Sequence, residues 1–390
     1  MTTPSEQPDQ ATVHCVLMRG GTSKGLYFHE ADLPVPGPTR DALLVRLMGS
    51  PDPLQVDGLG GSRPITSKLA IIAPSERDDA DIDYTFGQVE IERAVVHYSG
   101  NCGNISVGVG PFAIDEGLVK AVEPTTPVRI HNTNSGVVMT AHVPVHLGRA
   151  RVLGDFAIPG VPGTGAEIVM DWSHSVGAKT GKLLPTGEVV EKIDLDGGAA
   201  VRATICDAGN PTVWVPAADV GLDGSELADR INRDTVLIET AREIRGKAAE
   251  RIGLCADWRR VDEQSPGLPM VGFVSEPAGY PTLNGTFAQA VNMDLRVRLL
   301  FMDRLHESIS GTASICLAAA SRIPRSVVNS VIARSEGDTV LIGHPSGITP
   351  AKVVTRTVPQ WPSVSFEMLG FSRTARRLMD STAYYPRADA

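Results

Sequence analysis

Residues 100–118 read GNCGNISVGVGPFAIDEGL, and this stretch decides the fold class that we expect. A cysteine lies among small residues that favour tight turns, and apolar side chains then recur at helix-compatible spacing, although Pro111 disturbs the row. A second small-residue turn, Ser310-Gly311-Thr312, opens another apolar helix. Strands are predicted before each stretch, so the chain reads as two similar halves with Cys102 and Ser310 in similar places.

The length and composition agree with a two-part α+β protein. At 390 residues the chain is long enough for two domains, and 39 glycines and 28 prolines against 5% aromatic residues favour short strands joined by tight turns. The best linker candidate is the Gly- and Lys-containing stretch 177–187. We therefore predict an N-terminal domain over residues 1–182 and a C-terminal domain over residues 183–390.

Charge and cysteine usage exclude several classes of protein. Lys plus Arg total 36 and Asp plus Glu total 45, so the net charge is −9, and nothing supplies the clustered cations that nucleic acids or anionic membranes require. The five cysteines have no CxxC spacing, which argues against a disulfide framework and against a zinc ribbon. No export signal or membrane-spanning run is visible, so we expect a cytoplasmic protein.

Familiar cofactor and nucleophile motifs are missing or misplaced. The sequence has no GxxxxGK[ST] phosphate loop, no GxGxxG after a strand and no HExxH, so we expect no cofactor and no metal. Residues 21–25 match G-x-S-x-G, but a strand follows them instead of the helix that a hydrolase elbow requires.

Cys102 is the sharpest candidate for chemistry. Two glycines and two asparagines surround it, an unusual setting for a core cysteine, and a position just before a helix N-terminus favours the thiolate. The other cysteines at 15, 206 and 255 read as small core residues. Lys68 lies at the polar start of an apolar strand, which by itself is only moderately suspicious because most lysines are solvated.

Taken together, the motifs resemble the PrpF-type isomerases and, more distantly, the diaminopimelate epimerase superfamily. The resemblance extends over nearly the whole chain, and its motifs are residues 18–25, 48–53, 57–61, 66–68, 101–104 and 343–347. It implies two similar domains, each a mostly antiparallel sheet wrapped around a central helix, with the active site in the cleft between them. It also implies proton transfer without a cofactor, with the positions of Lys68 and Cys102 as the proton-transfer pair and Ser23 beside the substrate.

The resemblance further implies a small unsaturated tricarboxylate substrate of the aconitate, 2-methylaconitate or 4-oxalomesaconate type. One of Lys68 and Cys102 would remove an allylic proton and the other would return a proton to the far carbon, while backbone amides and cations meet the carbanion charge. Lys68 is a base only when neutral; if it stays charged, Cys102 is the base, and the sequence leaves both assignments open. The substrate-binding residues that we expect are Arg19, Thr22, Ser23, Asn101, Gly103, Asn104, Asn210, Arg298, Ser310, Gly311 and Thr312.

Two other functions stay open at this point. A two-base racemase or epimerase would need a second thiol, but the second-half position holds Ser310, a far weaker acid and base. A non-catalytic accessory to an iron–sulfur dehydratase would need a docking segment, and no charged or low-complexity stretch suggests one. Self-association as a homodimer is an open alternative for the assembly.

Overall fold

The computed structural model describes residues 9–98, 102–158 and 160–387. It divides into two compact units: the first contains the described residues up to Val169 and again those from Arg373, and the second is Met170–Ser372. This division differs from the predicted domains 1–182 and 183–390. The last strand of the chain pairs with the first and so returns to the first unit, and the predicted linker 177–187 lies inside the second unit.

The elements are numbered in chain order. The strands are β1 (Gln10–Gly20), β2 (Ser23–His29), β3 (Lys68–Pro74), β4 (Ile82–Val89), β5 (Val96–His97), β6 (Thr125–Asn132), β7 (Val137–His146), β8 (Arg149–Ala150), β9 (Ile168–Asp171), β10 (Glu191–Asp194), β11 (Ala200–Ala208), β12 (Asn210–Pro216), β13 (Met270–Ser275), β14 (Tyr280–Pro281), β15 (Phe287–Ala288), β16 (Leu295–Phe301), β17 (Arg304–Leu305), β18 (Thr339–His344), β19 (Gly347–Thr357), β20 (Val364–Arg373) and β21 (Ala375–Pro386). The helices are α1 (Pro38–Met48), α2 (Gly103–Asp115), α3 (Ala228–Arg233), α4 (Thr235–Arg251), α5 (Val261–Gln264), α6 (Gly311–Ser321) and α7 (Val327–Val331).

The first unit is a mostly antiparallel sheet. The strands β1, β2, β3, β4, β6 and β7 pair in that order, and the successive pairs are antiparallel, parallel, antiparallel, parallel and antiparallel. The strand β21 adds to the outer side of β1, and α1 packs with apolar side chains of β1, β2 and β3.

The second unit repeats this pairing order. The strands β11, β12, β13, β16, β18 and β19 are again joined as antiparallel, parallel, antiparallel, parallel and antiparallel pairs. The helix α2 precedes β6 in the first unit, and α6 precedes β18 at the same place in the second. The repeated topology confirms the prediction of two similar halves, and each of these six strands of one unit has a positional counterpart in the other.

Each sheet wraps around one central helix. Every residue from Ile105 to Ile114 of α2 is buried, as is every residue of α6 from Ala313 to Ser321. Such all-round burial is typical of a core helix. The helix α2 continues through Pro111, where the sequence predicted a disturbance, because packing on all sides outweighs the lost backbone hydrogen bond. A side chain at Gly108 would lie 2.8 Å from Cζ of Tyr27, so only glycine lets strand and helix approach this closely.

One predicted element is divided in the structure. The sequence predicts a single helical region over residues 225–252, whereas α3 and α4 are separate helices. The break occurs at Asp234, whose carboxylate accepts a hydrogen bond from the Leu237 amide at 3.0 Å and so begins α4 as an N-cap.

Candidate active site

The β1–β2 turn lies directly against the first turn of α2. A Cβ atom at Gly20 would meet the backbone of Asn104, with its carbonyl carbon at 3.2 Å, so glycine is required for this contact. The Asn104 side chain donates a hydrogen bond from Nδ2 to Oγ1 of Thr22 at 3.0 Å. Thr22 and Asn104, both predicted to bind substrate, are therefore adjacent, and the hydroxyl of Thr22 is already oriented by the helix.

Cys102 is the N-cap residue of α2, as the sequence predicted. Its backbone is extended, with φ −126° and ψ 100°, and its side chain makes no hydrogen bond to the first turn of the helix. The amides at the start of α2, beginning with that of Gly103, therefore lack the side-chain partner that an N-cap usually supplies. Cys102 is partly exposed, whereas the other four cysteines are buried. It is the thiol that a substrate can reach, at a helix end that favours negative charge.

Lys68 is the first residue of β3, and the register of the parallel β2–β3 pair determines its position. Gly25 is its Cα partner on β2, and a Cβ atom there would lie 2.9 Å from the Lys68 carbonyl carbon and closer still to its oxygen. The Lys68 ammonium donates to Oε1 of Gln88 at 2.6 Å and lies 5.1 Å from the centre of the Phe86 ring. Gln88 and Phe86 belong to β4 and were not identified from the sequence.

The glycine-rich segment before Lys68 is a scaffold. Gln55 is only 2% exposed, and its amide donates to Oγ of Ser67 at 2.9 Å. Ser67 is fully buried and donates in turn to the carbonyl of Val89 at 3.0 Å. A side chain at Gly60 would collide with the Gln55 amide. The motif at residues 57–61 therefore anchors the residue that precedes Lys68.

Two buried tyrosines lie close to Cys102. The Tyr27 hydroxyl donates to the carbonyl of Ile105 at 2.6 Å and so ties β2 to the first turn of α2. The Tyr84 hydroxyl is buried and has no hydrogen-bond partner among the described residues. Burial, and secondarily the nearness of Cys102, raises the pKa of both phenols well above the usual value, which keeps them neutral.

Arg19 is engaged in holding the turn. Its guanidinium donates to the carbonyls of Gly21 and Thr374, each at 2.8 Å, and to Oγ1 of Thr374 at 3.0 Å. Burial and the neighbouring Arg376 lower the pKa of Arg19. Ser23 is 3% exposed. Several hydrogen-bond donors of Arg19 thus already have partners within the turn.

A matching cluster occurs in the second unit. Ser310 is the N-cap residue of α6, and its hydroxyl accepts a hydrogen bond from the Ala313 amide at 3.1 Å. The β11–β12 turn lies against this helix end, where Nδ2 of Asn210 donates to Oγ1 of Thr312 at 3.1 Å. Gly311, the first residue of α6, leaves no room for a side chain because a Cβ would lie 2.8 Å from the Phe371 ring.

The second-unit counterparts of Lys68 and Cys102 carry no amine and no thiol. Lys68 pairs with the residue of β2 that follows, by two positions, the residue at which β2 begins to pair with β1. Met270 pairs with the equivalent residue of β12, counted in the same way from the start of its pairing with β11. Met270 lies beside the N-cap of α6, with its Sδ 3.9 Å from Oγ of Ser310. The two units therefore present Lys68 with Cys102, and Met270 with Ser310, at equivalent positions of the same fold.

The structure places Arg298 in the core of the second unit. This residue was expected as a cationic clamp, but it is fully buried inside the second unit, with its guanidinium donating to the carbonyl of Val297 at 2.9 Å and stacked 4.8 Å from the Tyr280 ring centre. Every residue of β16 before Phe301 is buried, so both faces of that strand belong to the core. Arg298 therefore supports packing around Tyr280, and its role as a cationic clamp stays a prediction.

Asn101, metal binding and membrane spanning complete the predicted features. Asn101 lies outside the described residues. Within the ranges 9–98, 102–158 and 160–387, no group of three or more His, Cys, Asp and Glu side chains is placed to hold a metal ion. Every helix in those same ranges is too short or too polar to span a bilayer. The absence of a cofactor, the cytoplasmic location and the homodimer stay predictions.

Comparison with known proteins agrees with the sequence motifs. A model of the family described as PrpF protein matches residues 10–386. The chain is 47% identical over 383 residues to 3-methylitaconate isomerase of Eubacterium barkeri, covering 97% of this chain and 99% of the relative. It is 38% identical over an alignment of 396 positions to 2-methyl-aconitate isomerase of Shewanella oneidensis, covering 97% and 98% of the two chains.

Solved structures agree as well. The crystal structure of a methylitaconate delta-isomerase matches with a TM-score of 0.89 at 47% identity and covers 97% of each chain. A hydroxyproline epimerase from Agrobacterium vitis matches with a TM-score of 0.51 at 15% identity over 96% of this chain and 92% of that one, a likeness of fold alone. The predicted α+β, epimerase-like fold is confirmed. The chain is an isomerase and belongs to the PrpF family.

Proposed function

We propose that this protein moves a carbon–carbon double bond within a small unsaturated carboxylic acid by 1,3-allylic proton transfer, with Lys68 and Cys102 as the acid–base pair. One observation carries the proposal: of the two topologically equivalent pairs of positions, only the pair in the first unit holds a lysine and a thiol, side chains that can serve as acid and base. Lys68 and Cys102 lie there, whereas Met270 and Ser310 occupy the counterparts.

The same asymmetry supports isomerisation over racemisation. Two-base inversion of a stereocentre requires a second acid–base group comparable to a thiol, and the second-unit position equivalent to Cys102 holds Ser310. Ser310 is a poor acid and base, and its hydroxyl is already used as the N-cap of α6. A 1,3-shift needs proton removal and return at two carbons of one three-carbon unit, which a single pair can perform.

The reaction creates a carbanion that is spread into a carboxylate or keto group, and its charge requires preorganised donors. We assign this role to the uncapped amides at the start of α2 and to the hydroxyls of Thr22 and Ser23. Gly311 and Thr312 at the start of α6 are the corresponding residues of the second unit.

The substrate class follows from the relatives and from the site together. The relatives named above act on methylitaconate and on 2-methylaconitate by their names, and both compounds are unsaturated acids with several carboxylates. Helix amides and hydroxyls suit such anions without a cluster of arginines. We therefore propose an aconitate-, 2-methylaconitate- or 4-oxalomesaconate-like tricarboxylate, or a related dicarboxylate.

Deuterium incorporation from solvent tests the proposal. The wild-type protein is incubated in D₂O with a panel of unsaturated di- and tricarboxylates, and the products are read by NMR. We expect isomerised product with deuterium at the new C–H position, and a loss of rate on the order of 10²–10⁴-fold in both Lys68→Ala and Cys102→Ser.

Two variants serve as matched controls, Lys24→Ala for the lysine and Cys255→Ser for the cysteine. Both are expected to exchange deuterium at the wild-type rate. Full activity in Cys102→Ser would remove the thiol from the mechanism. Amino acids are added to the panel as a separate arm. Deuterium entering only at their stereocentres would favour a racemase, and no exchange on any compound would favour the accessory role.

A further inference from the structure

The segment that follows α1 shows an inverted pattern of burial. Gln55 is polar and only 2% exposed, whereas its apolar neighbours Leu54 and Val56 are 69% and 82% exposed. Water favours the opposite arrangement, because burying apolar surface stabilises a fold and burying an amide costs free energy unless it is hydrogen-bonded. The segment therefore exposes its two apolar side chains and encloses the polar one between them.

Hydrogen bonds hold the segment in this arrangement. The Gln55 amide donates to Oγ of the buried Ser67 at 2.9 Å. The Asp52 carboxylate accepts from the backbone amide of Leu54 at 3.1 Å and from that of Val56 at 2.9 Å. Because the backbone is fixed on both sides of Gln55, the two apolar side chains are held outward. Such preorganised groups lose little further entropy when a partner covers them.

Val56 borders a groove between this segment, the end of α1 and the strand β21. The groove has a volume of about 420 Å³, and Leu59, Met379 and Tyr384 also line it. All of these side chains and that of Leu54 are exposed. We call these five residues the β21 face. Clustered exposed apolar groups mark contact surfaces in soluble proteins, and tyrosine is enriched at the centres of such surfaces.

The groove also carries one cation and one anion. Arg46 and Asp57 both line it. The Arg46 guanidinium donates to the backbone carbonyl of Pro386 at 2.6 Å, and Asp57 is exposed to solvent. Within the part of the chain that the structure describes, neither side chain takes part in an ion pair. The β21 face therefore has balanced charges beside it, one of each sign.

A second copy of the chain is the occupant that fits these charges. The net charge of −9 makes two copies repel each other, so they associate best where the charges balance. A two-fold axis brings the same surface of both copies together, and Arg46 of each copy can then face Asp57 of the other. Residues 1–8, which read MTTPSEQP, have Met1 as their only large apolar side chain and match an apolar groove less well.

We propose that the β21 face is the contact surface of a two-fold homodimer. Its apolar side chains pack against the same face of a second copy, and Arg46 of each copy pairs with Asp57 of the other. The part of β21 that lines the groove pairs with Gln10–Leu17 of β1, away from the β1–β2 turn that packs against α2. Association through this surface therefore leaves that turn uncovered, and the proposal does not depend on the reaction that the protein catalyses.

The first test removes an apolar contact. Sedimentation velocity over a wide range of protein concentration gives the Kd of the dimer for the wild type and for Val56→Ser. A two-fold interface contains each contact twice, so a contact that contributes about tenfold to affinity raises Kd on the order of 10²-fold when it is lost. Val236→Ser is the matched control, because this valine is also exposed but lies on α4 of the second unit. Its Kd should equal that of the wild type.

The second test exchanges the two charges. Arg46→Glu and Asp57→Arg each place like charges opposite one another and should each raise Kd about tenfold. The double variant Arg46→Glu/Asp57→Arg restores opposite charges and should return Kd to within about threefold of the wild type. A general effect of net charge predicts the reverse for Asp57→Arg, since this variant makes an acidic chain less negative and would tighten the dimer.

Three results would overturn the proposal. A wild type that is monomeric at every concentration has no such interface. A dimer with the same Kd in wild type and Val56→Ser forms through another surface. A double charge variant that is as weak as the single variants shows that Arg46 and Asp57 do not meet across a two-fold axis. Weakening by Val56→Ser together with restoration in the double variant supports the interface.

Discussion

Gly25→Ala is the perturbation that most directly tests how the fold places Lys68. Gly25 and Lys68 are Cα partners on the parallel strands β2 and β3. The added methyl group would lie 2.9 Å from the carbonyl carbon of Lys68, whereas carbon atoms in favourable contact are about 3.5–4.0 Å apart. The atoms that the methyl group would meet belong to the backbone carbonyl of Lys68, which cannot move aside as the end of a flexible side chain could. The strands must therefore separate by roughly 0.6–1 Å at Lys68.

This displacement is expected to lower both the stability of the protein and the rate of the reaction. Overpacking a well-packed site lowers the free energy of unfolding by about 1–3 kcal/mol, which for a unit of this size lowers Tm by roughly 2–12 °C. A shift of about 1 Å at a reacting group reduces the rate on the order of 10²-fold. The activity loss should thus far exceed what partial unfolding explains at 25 °C.

The assay combines calorimetry with initial rates of deuterium incorporation at 25 °C, where the variant is still folded. Gly197→Ala is the matched control, because a Cβ there meets no atom within 4 Å and the backbone is not left-handed. It should leave the rate unchanged and alter stability by at most about 1 kcal/mol. A folded Gly25→Ala protein with the wild-type kcat/KM would refute the idea that close β2–β3 approach positions Lys68.

Two further predictions concern stability. Ser310→Ala removes the N-cap hydrogen bond of α6 and should lower the free energy of unfolding, measured in urea, by about 1 kcal/mol. Cys102→Ala loses no such bond and should change the free energy of unfolding by less than about 0.5 kcal/mol. Equal losses in the two variants would contradict the contrast between the two helix starts. Burial raises the pKa of Glu116, but hydrogen bonds from Arg377 and His29 outweigh it and hold that pKa below the usual 4.5. A depressed folded-state pKa stabilises the protein above pH 4.5, and this contribution is lost as the pH falls. Glu116→Gln should therefore flatten the fall of Tm between about pH 5 and pH 3, and parallel curves would show that this carboxylate plays no part.

Local sequence signals predicted the parts of the fold that depend on neighbours in the chain. The turn residues around Cys102 and Ser310 were enough to place two helix starts, because capping and small-residue turns act over four or five positions. The compact units of the structure differ from the predicted domains for the opposite reason. Pairing of β21 with β1 joins residues more than 350 positions apart, and no local pattern carries that information.

The candidate site shows the same limit. Cys102 could be singled out from its own flanking residues, whereas Lys68 needed the family resemblance and Gln88 was missed. Gln88 lies opposite Lys68 only through the register of β3 and β4, a property of the folded sheet. A signal did exist for Arg298, since β16 is apolar apart from its two arginines, and a strand of that kind is typical of a fully buried position.

The insertion of one unit within the other has a consequence for synthesis on the ribosome. The second unit is continuous in sequence, whereas β1 lacks its second neighbouring strand until β21 has been synthesised. At about 5–20 residues per second, the roughly 350 residues between them take some 20–70 s to emerge. During that time β1 has an open edge that can pair with another nascent chain. The first strand to leave the ribosome is therefore among the last to be completed, and the newborn chain is most exposed to aggregation at its N-terminal end.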